Sequence, residues 1–97
     1  MDSSTNKSLY ALAREVISRR IGVLSGQLSR ERNRPDRNDA LCAEIRESVA
    51  QLLLERDALS SIDRAPLEKA IRKHARSTAG AEAAIAAISD IHRGSEN

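Results

Sequence analysis

The sequence has no Phe, no Trp and a single tyrosine, Tyr10, so it cannot build a core around aromatic side chains or offer rings on which nucleic-acid bases stack. Its one cysteine, Cys42, excludes an internal disulfide. With His74 and His92 as the other soft ligands, no CxxC, HxxxH or ExxH spacing is present for a metal. No apolar stretch approaches the roughly 18 residues of a membrane span, and Met1 to Lys7 lack the basic start and apolar run of a secretory leader, so a cytosolic protein is expected. Gly22 to Gly26 is followed by no Lys and Ser or Thr pair, so it does not read as a phosphate loop. Neither cofactor nor small-molecule substrate is expected.

The remaining candidates for chemistry are few. Cys42 falls on an apolar helical repeat with no histidine near it in sequence, and reads as a small buried hydrophobe rather than a nucleophile. Glu44 with Glu47, and Glu55 with Asp57, occupy a polar helical face where carboxylates are solvated. His74 reads as a histidine at the edge of the core, and His92 as a favourable charge at a helix C-terminus. Catalysis is therefore not expected.

What the chain does contain is 21 Leu, Ile and Val and 15 Ala among 97 residues. That is enough for one small domain with a thin core, for which a second chain is the expected support, so a homodimer is anticipated. Thirteen arginines against three lysines suggest a GC-rich, bacterial genome. The net charge of +2 is too small for polyanion binding on bulk charge alone. It is distributed in blocks: +4 over Met1 to Arg37, −4 over Asn38 to Asp63 and +2 beyond. Oppositely charged first and second elements attract as antiparallel neighbours.

Helical periodicity runs from Lys7 to His92, and both prolines stand at turn signals. The expected fold is all-α, one domain over 1–97: an antiparallel helical hairpin plus a third, bent or split helix, in a small bundle. Helix one spans 7–32, with Tyr10, Ala13, Ile17, Ile21, Leu24 and Leu28 as its apolar stripe and Ser3 to Thr5 as candidate caps. A turn at 33–38 contains Pro35, and helix two spans 39–59 behind an Asn38 or Asp39 cap. Its repeat is Cys42, Ile45, Val49, Leu52, Arg56 and Leu59. Leu52, Leu53 and Leu54 cover more of the circumference than one neighbour buries, so helix two is expected to be contacted by helix one and by either helix three or a second copy. Helix three spans 63–92 at coiled-coil spacing, Leu67, Ile71, His74, Thr78, Ala81, Ile85, Ile88 and His92, and is expected either to run on through a weak middle or to split near 78–80. Ile62 is expected to staple onto Leu67 or Pro66, and 93–97 to form a tail.

Two surface features point to partners. Ser18, Gly22, Ser25, Gly26 and Ser29 form a small-residue stripe on helix one, at a cost of roughly 1 kcal/mol for each helical glycine relative to alanine. The stripe is expected to pack closely against a helix, with Ala79, Ala83, Ala84, Ala86 and Ala87 as its match inside the molecule or in a homodimer, or to receive a partner's helix. Arg30, Arg32, Arg34 and Arg37 crowd the end of helix one and its turn, where they neutralise the helix C-terminus or contact a partner. A helix-turn-helix is disfavoured because the second helix, Ala81 to Ile88, carries no basic residue. The expectation is a non-catalytic protein-interaction module, a small regulator, adaptor or inhibitor that binds a larger protein. The alternatives are a DNA-associated accessory protein touching phosphates through the Arg-rich turn, and a structural self-assembling subunit.

Overall fold

A computed structural model describes residues 3–94, and the side chains of residues 4–91. Among the described residues the chain is all-helical: α1 Ser3–Arg32, α2 Asp39–Ala58, α3 Arg64–His74 and α4 Thr78–Gly94. No helix there is long and apolar enough to cross a membrane. The chain folds to an elongated body of 61 × 24 × 15 Å. Its long dimension follows α1, whose 30 residues extend about 45 Å.

α1 reaches that length because nothing between Ser3 and Arg32 breaks it, and because two apolar stripes hold it rather than one. The expected stripe includes Ala13, Ile17 and Leu24, all buried. Leu9 and Val16 are buried as well, with Leu12 packed on the same core. These widen the buried face of α1 beyond one stripe, as spacings of three and four allow. α2 packs on one part of α1, and α3 and α4 pack on α1 and on each other. The core is Leu9, Ala13, Ile17 and Leu24 of α1, Ile45 and Leu52 of α2, Leu67, Ala70 and Ile71 of α3, and Ala81 and Ile85 of α4.

Several expectations change in consequence. α1, not α2, is the helix contacted on two sides: α2 makes no backbone contact with α3 or α4, and Leu54 is 71% exposed with Leu53 at 38%. Within the chain α3 meets α2 through side chains alone, Lys73 and His74 on Glu55, and leaves Leu53 and Leu54 uncovered. Ser3 to Thr5 lie inside α1 rather than before it, and Thr5 is buried. Ile62 staples nothing, since it is 82% exposed; its backbone acts instead, its carbonyl accepting from Asn6 Nδ2 at 3.3 Å and its N–H donating to Ser60 Oγ at 3.2 Å. The split in helix three falls at 75–77 rather than 78–80. Ser77 caps α4, its hydroxyl accepting from the Gly80 N–H at 3.0 Å and its carbonyl from Ala81 at 3.0 Å. Gly80 therefore lies in the first turn of α4. Arg93 and Gly94 close α4 instead of starting a tail; the remaining tail residues 95–97, and the His92 side chain, lie outside the described residues.

The α1–α2 turn is built around one carboxylate that periodicity does not reveal. Glu31 is 7% exposed, and its Oε2 accepts the Asn38 N–H at 2.7 Å while Oε1 accepts from Arg34 at 3.2 Å. Asn38 in turn caps α2, its side chain accepting from the Leu41 N–H at 3.1 Å. One buried acid thus ties the end of α1 to the start of α2. Glu31→Ala strands the Asn38 N–H and removes a charge-assisted bond, and is expected to lower unfolding stability by about 2 kcal/mol in urea melts, with Glu31→Gln losing less. A loss below about 0.5 kcal/mol for the alanine variant, the range of ordinary surface substitutions, would contradict this role.

Candidate functional site

The spacing of the helices along α1 leaves a gap. Since α2 and the α3–α4 pair both rest on α1 without touching through their backbones, an open groove of about 1170 Å³ lies between them. Leu12, Val16 and Val23 of α1 make its floor. Ser48, Gln51 and Leu52 of α2 make one wall, and Ile71, the 75–77 connection, Gly80, Ala81 and Ala84 make the other. The small residues at the head of α4 keep that wall low. Val23, 53% exposed, is an apolar side chain in the groove with no cover.

One side chain bridges the gap. Glu55 of α2 accepts from His74 Nε2 at 2.7 Å and from Lys73 Nζ at 3.4 Å, both in the last turn of α3. Burial pushes the Glu55 carboxyl up, but the His74 hydrogen bond and charge, with Lys73 behind them, outweigh it and hold the group below its ordinary value. The His74 side chain is 10% exposed, a position at the core edge. Arg56, next along α2, crosses to α1 and donates to Ser18 Oγ at 2.8 Å. On the far side of α3, Arg64, Glu68, Arg72 and Glu82 form a chain of ion pairs onto α4, and the Arg72 guanidinium lowers the Glu82 carboxyl. Arg64 also donates to Ser89 Oγ at 2.6 Å.

The groove's charge is one-sided. Arg19, Arg20, Lys73 and Arg76 line it against a single carboxylate, Glu55, which is already engaged. Arg19 pairs with Glu15 at 2.7 Å. Arg20 and Arg76 have no ion-pair or hydrogen-bond partner among the described residues. None of these four cations stood out from the sequence as a site, because they come from three separate elements and meet only once α1 has gathered those elements around itself.

The residues that did stand out are placed as follows. In the turn, Arg34 pairs with Glu31 at 3.2 Å and Asp36 at 3.5 Å, and Arg37 with Asp39 at 3.1 Å, so half of the arginine cluster holds the turn together. Arg32 and Arg37 line a second, smaller cleft of about 400 Å³ with Ser29 and Asn33. Arg30 extends back along α1, within 3.6 Å of where a Gly26 Cβ would stand. Cys42 is buried and free. Among the described residues no three His, Cys, Asp or Glu side chains gather as a metal site requires.

The small-residue stripe does not pack against a helix of the same chain. Ser18, Gly22, Ser25 and Ser29 are exposed, and Ser18 instead receives Arg56. A Cβ added at Gly22 would meet no atom within 4 Å. Ala79, Ala83, Ala86 and Ala87 are exposed too, while Ala84 lines the groove. Intramolecular pairing of the two small-residue surfaces is thereby corrected: α4 buries Ala81 and Ile85 in the shared core instead. With no close approach to protect, Gly22→Ala is expected to stabilise the chain by about 1 kcal/mol through helix propensity, a rise of roughly 4–8 °C in a thermal melt. A fall in melting temperature would mean that a helix of a second copy rests on Gly22. Set beside known proteins, the chain stands by itself: no family model, no curated protein and no solved structure matches it.

Proposed function

We propose that the chain is a non-catalytic protein-interaction module, an antiparallel helical hairpin of α1 and α2 braced by α3 and α4, that acts in the cytosol as a small regulator, adaptor or inhibitor of a larger protein. The observation that carries this reading is the uncovered apolar surface on both sides of α2. Val23 stands in the groove floor and Leu53 and Leu54 on α2 itself, in a chain too small to spare them. Exposed apolar side chains beside a preformed groove are the usual mark of a surface that another protein covers. The same surface supports self-association into a homodimer.

Nucleic-acid contact through Arg30, Arg32, Arg34 and Arg37 is the second reading, favoured by the cleft at Ser29, Arg32, Asn33 and Arg37. It has less behind it, because Arg34 and Arg37 are neutralised by Glu31, Asp36 and Asp39.

A photo-crosslinking amino acid placed at Val23 or Leu54, with the exposed Ala65 as control, tests the interaction reading in the cells that make the protein. A discrete adduct heavier than the 10.6 kDa chain is expected from Val23 or Leu54 and not from Ala65. An adduct of about 21 kDa identifies a second copy, and a larger one a different protein. No adduct from either position, or the same adducts from Ala65, would overturn the proposal.

A further inference from the structure

We infer that the groove between α2 and the α3–α4 pair takes an amphipathic α-helix of another protein whose apolar ridge is flanked by carboxylates. The inference rests on the interaction reading above and names the partner's chemistry. An apolar floor of Leu12, Val16 and Val23 asks for apolar anchors. The charged groups around it ask for acids: four cations line the groove against Glu55 alone, and Glu55 is held by His74 and Lys73. Of the groove's cations, Arg20 and Arg76 are the two with no partner among the described residues, one on α1 and the other in the α3–α4 connection. A carboxylate on each flank of an incoming helix answers both.

The dimensions agree with that occupant. A helix about 10 Å across fills a volume of 1170 Å³ over about 15 Å, close to three turns. Gly80, Ala81 and Ala84 present little side chain on their wall, which lets a helix settle against α4. A nucleic acid suits the groove less well. Its phosphates gain nothing from the apolar floor, and no Phe, Tyr or Trp lines the groove for a base to stack on.

The test uses the full chain and two fluorescein-labelled synthetic peptides, helices of about 14 residues with the same leucine ridge at i, i+3, i+4 and i+7, one flanked by Glu and the other by Lys. Fluorescence anisotropy is expected to show the Glu peptide binding at least about tenfold more tightly, with affinity falling as salt is raised. Arg20 and Arg76 are both exposed, so the double variant Arg20→Glu, Arg76→Glu should fold normally by circular dichroism. It should reverse the preference, binding the Lys peptide instead. Equal binding of the two peptides, no effect of the double variant, or competition by random duplex DNA at the same concentration would overturn the inference. So would light scattering showing a dimer whose second copy excludes the peptide. If neither peptide binds while the Val23 photo-adduct with another protein persists, the acidic-helix inference falls and the interaction reading stands; if that adduct is missing as well, both fall.

Discussion

Every other helix packs on α1, and among the described residues the backbone of α2 touches no other helix. This dependence follows from the pattern of one segment. Over 30 residues α1 carries two apolar stripes: one runs through Ala13, Ile17 and Leu24, and the other through Leu9, Leu12 and Val16. A helix with one stripe satisfies one neighbour; a helix with two can hold two bodies apart. α2 and the α3–α4 pair both pack on this broad apolar surface of α1 and share one core with it, and the open space lies where their backbones do not meet. If α1 bent or broke, the groove, its cation rim and the Glu55 bridge would all lose their geometry together.

Polar contacts then fix what the apolar stripes leave loose. Glu31 closes the turn by accepting the Asn38 N–H and the Arg34 guanidinium, and Asn38 passes the constraint on by capping α2. Arg56 reaches Ser18, and Glu55 reaches Lys73 and His74, so two consecutive side chains near the end of α2 anchor it to α1 and to α3. Both sit on a helix whose backbone, among the described residues, makes no contact with α3 or α4, which gives each a larger share of the orientation than a surface pair usually carries. The arginines that engage Glu31, Asp36 and Asp39 are structural; Arg20 and Arg76, which have no ion-pair or hydrogen-bond partner among the described residues, are the groove cations left to meet a partner.

Much of the fold is legible in the sequence, for reasons that name themselves. The helix boundaries at Arg32 and Asp39 follow from Pro35 and the Asn38 cap, and the break in the third helical pattern follows from the poor helix formers around Ser77. The burial of Cys42, Ile45, Leu67, Ile71, Ala81 and Ile85 follows from spacing alone. Three leucines in a row, Leu52 to Leu54, point to a twice-covered α2; within the chain Leu52 is buried while Leu53 and Leu54 stay exposed, because periodicity reports how much apolar surface a helix has, not whether the chain itself covers it. The groove is illegible for a different reason. Its floor, walls and cations come from α1, α2, α3 and the 75–77 connection, and their meeting depends on where helices of different length rest along α1. Glu31 is hidden because an acid at the end of a helix looks like any solvated charge until the chain folds back over it.

The continuity of α1 is the claim on which the groove depends, and native-state hydrogen exchange of its middle tests that claim most directly. Amides from Ala13 to Leu24 should exchange through one shared opening whose free energy equals that of global unfolding, because Ala13, Ile17 and Leu24 lie in the one core that all four helices share. Separate, lower-energy opening around Ser18 to Gly22, with α2 exchanging independently of α3 and α4, would contradict it and leave the groove without a fixed shape.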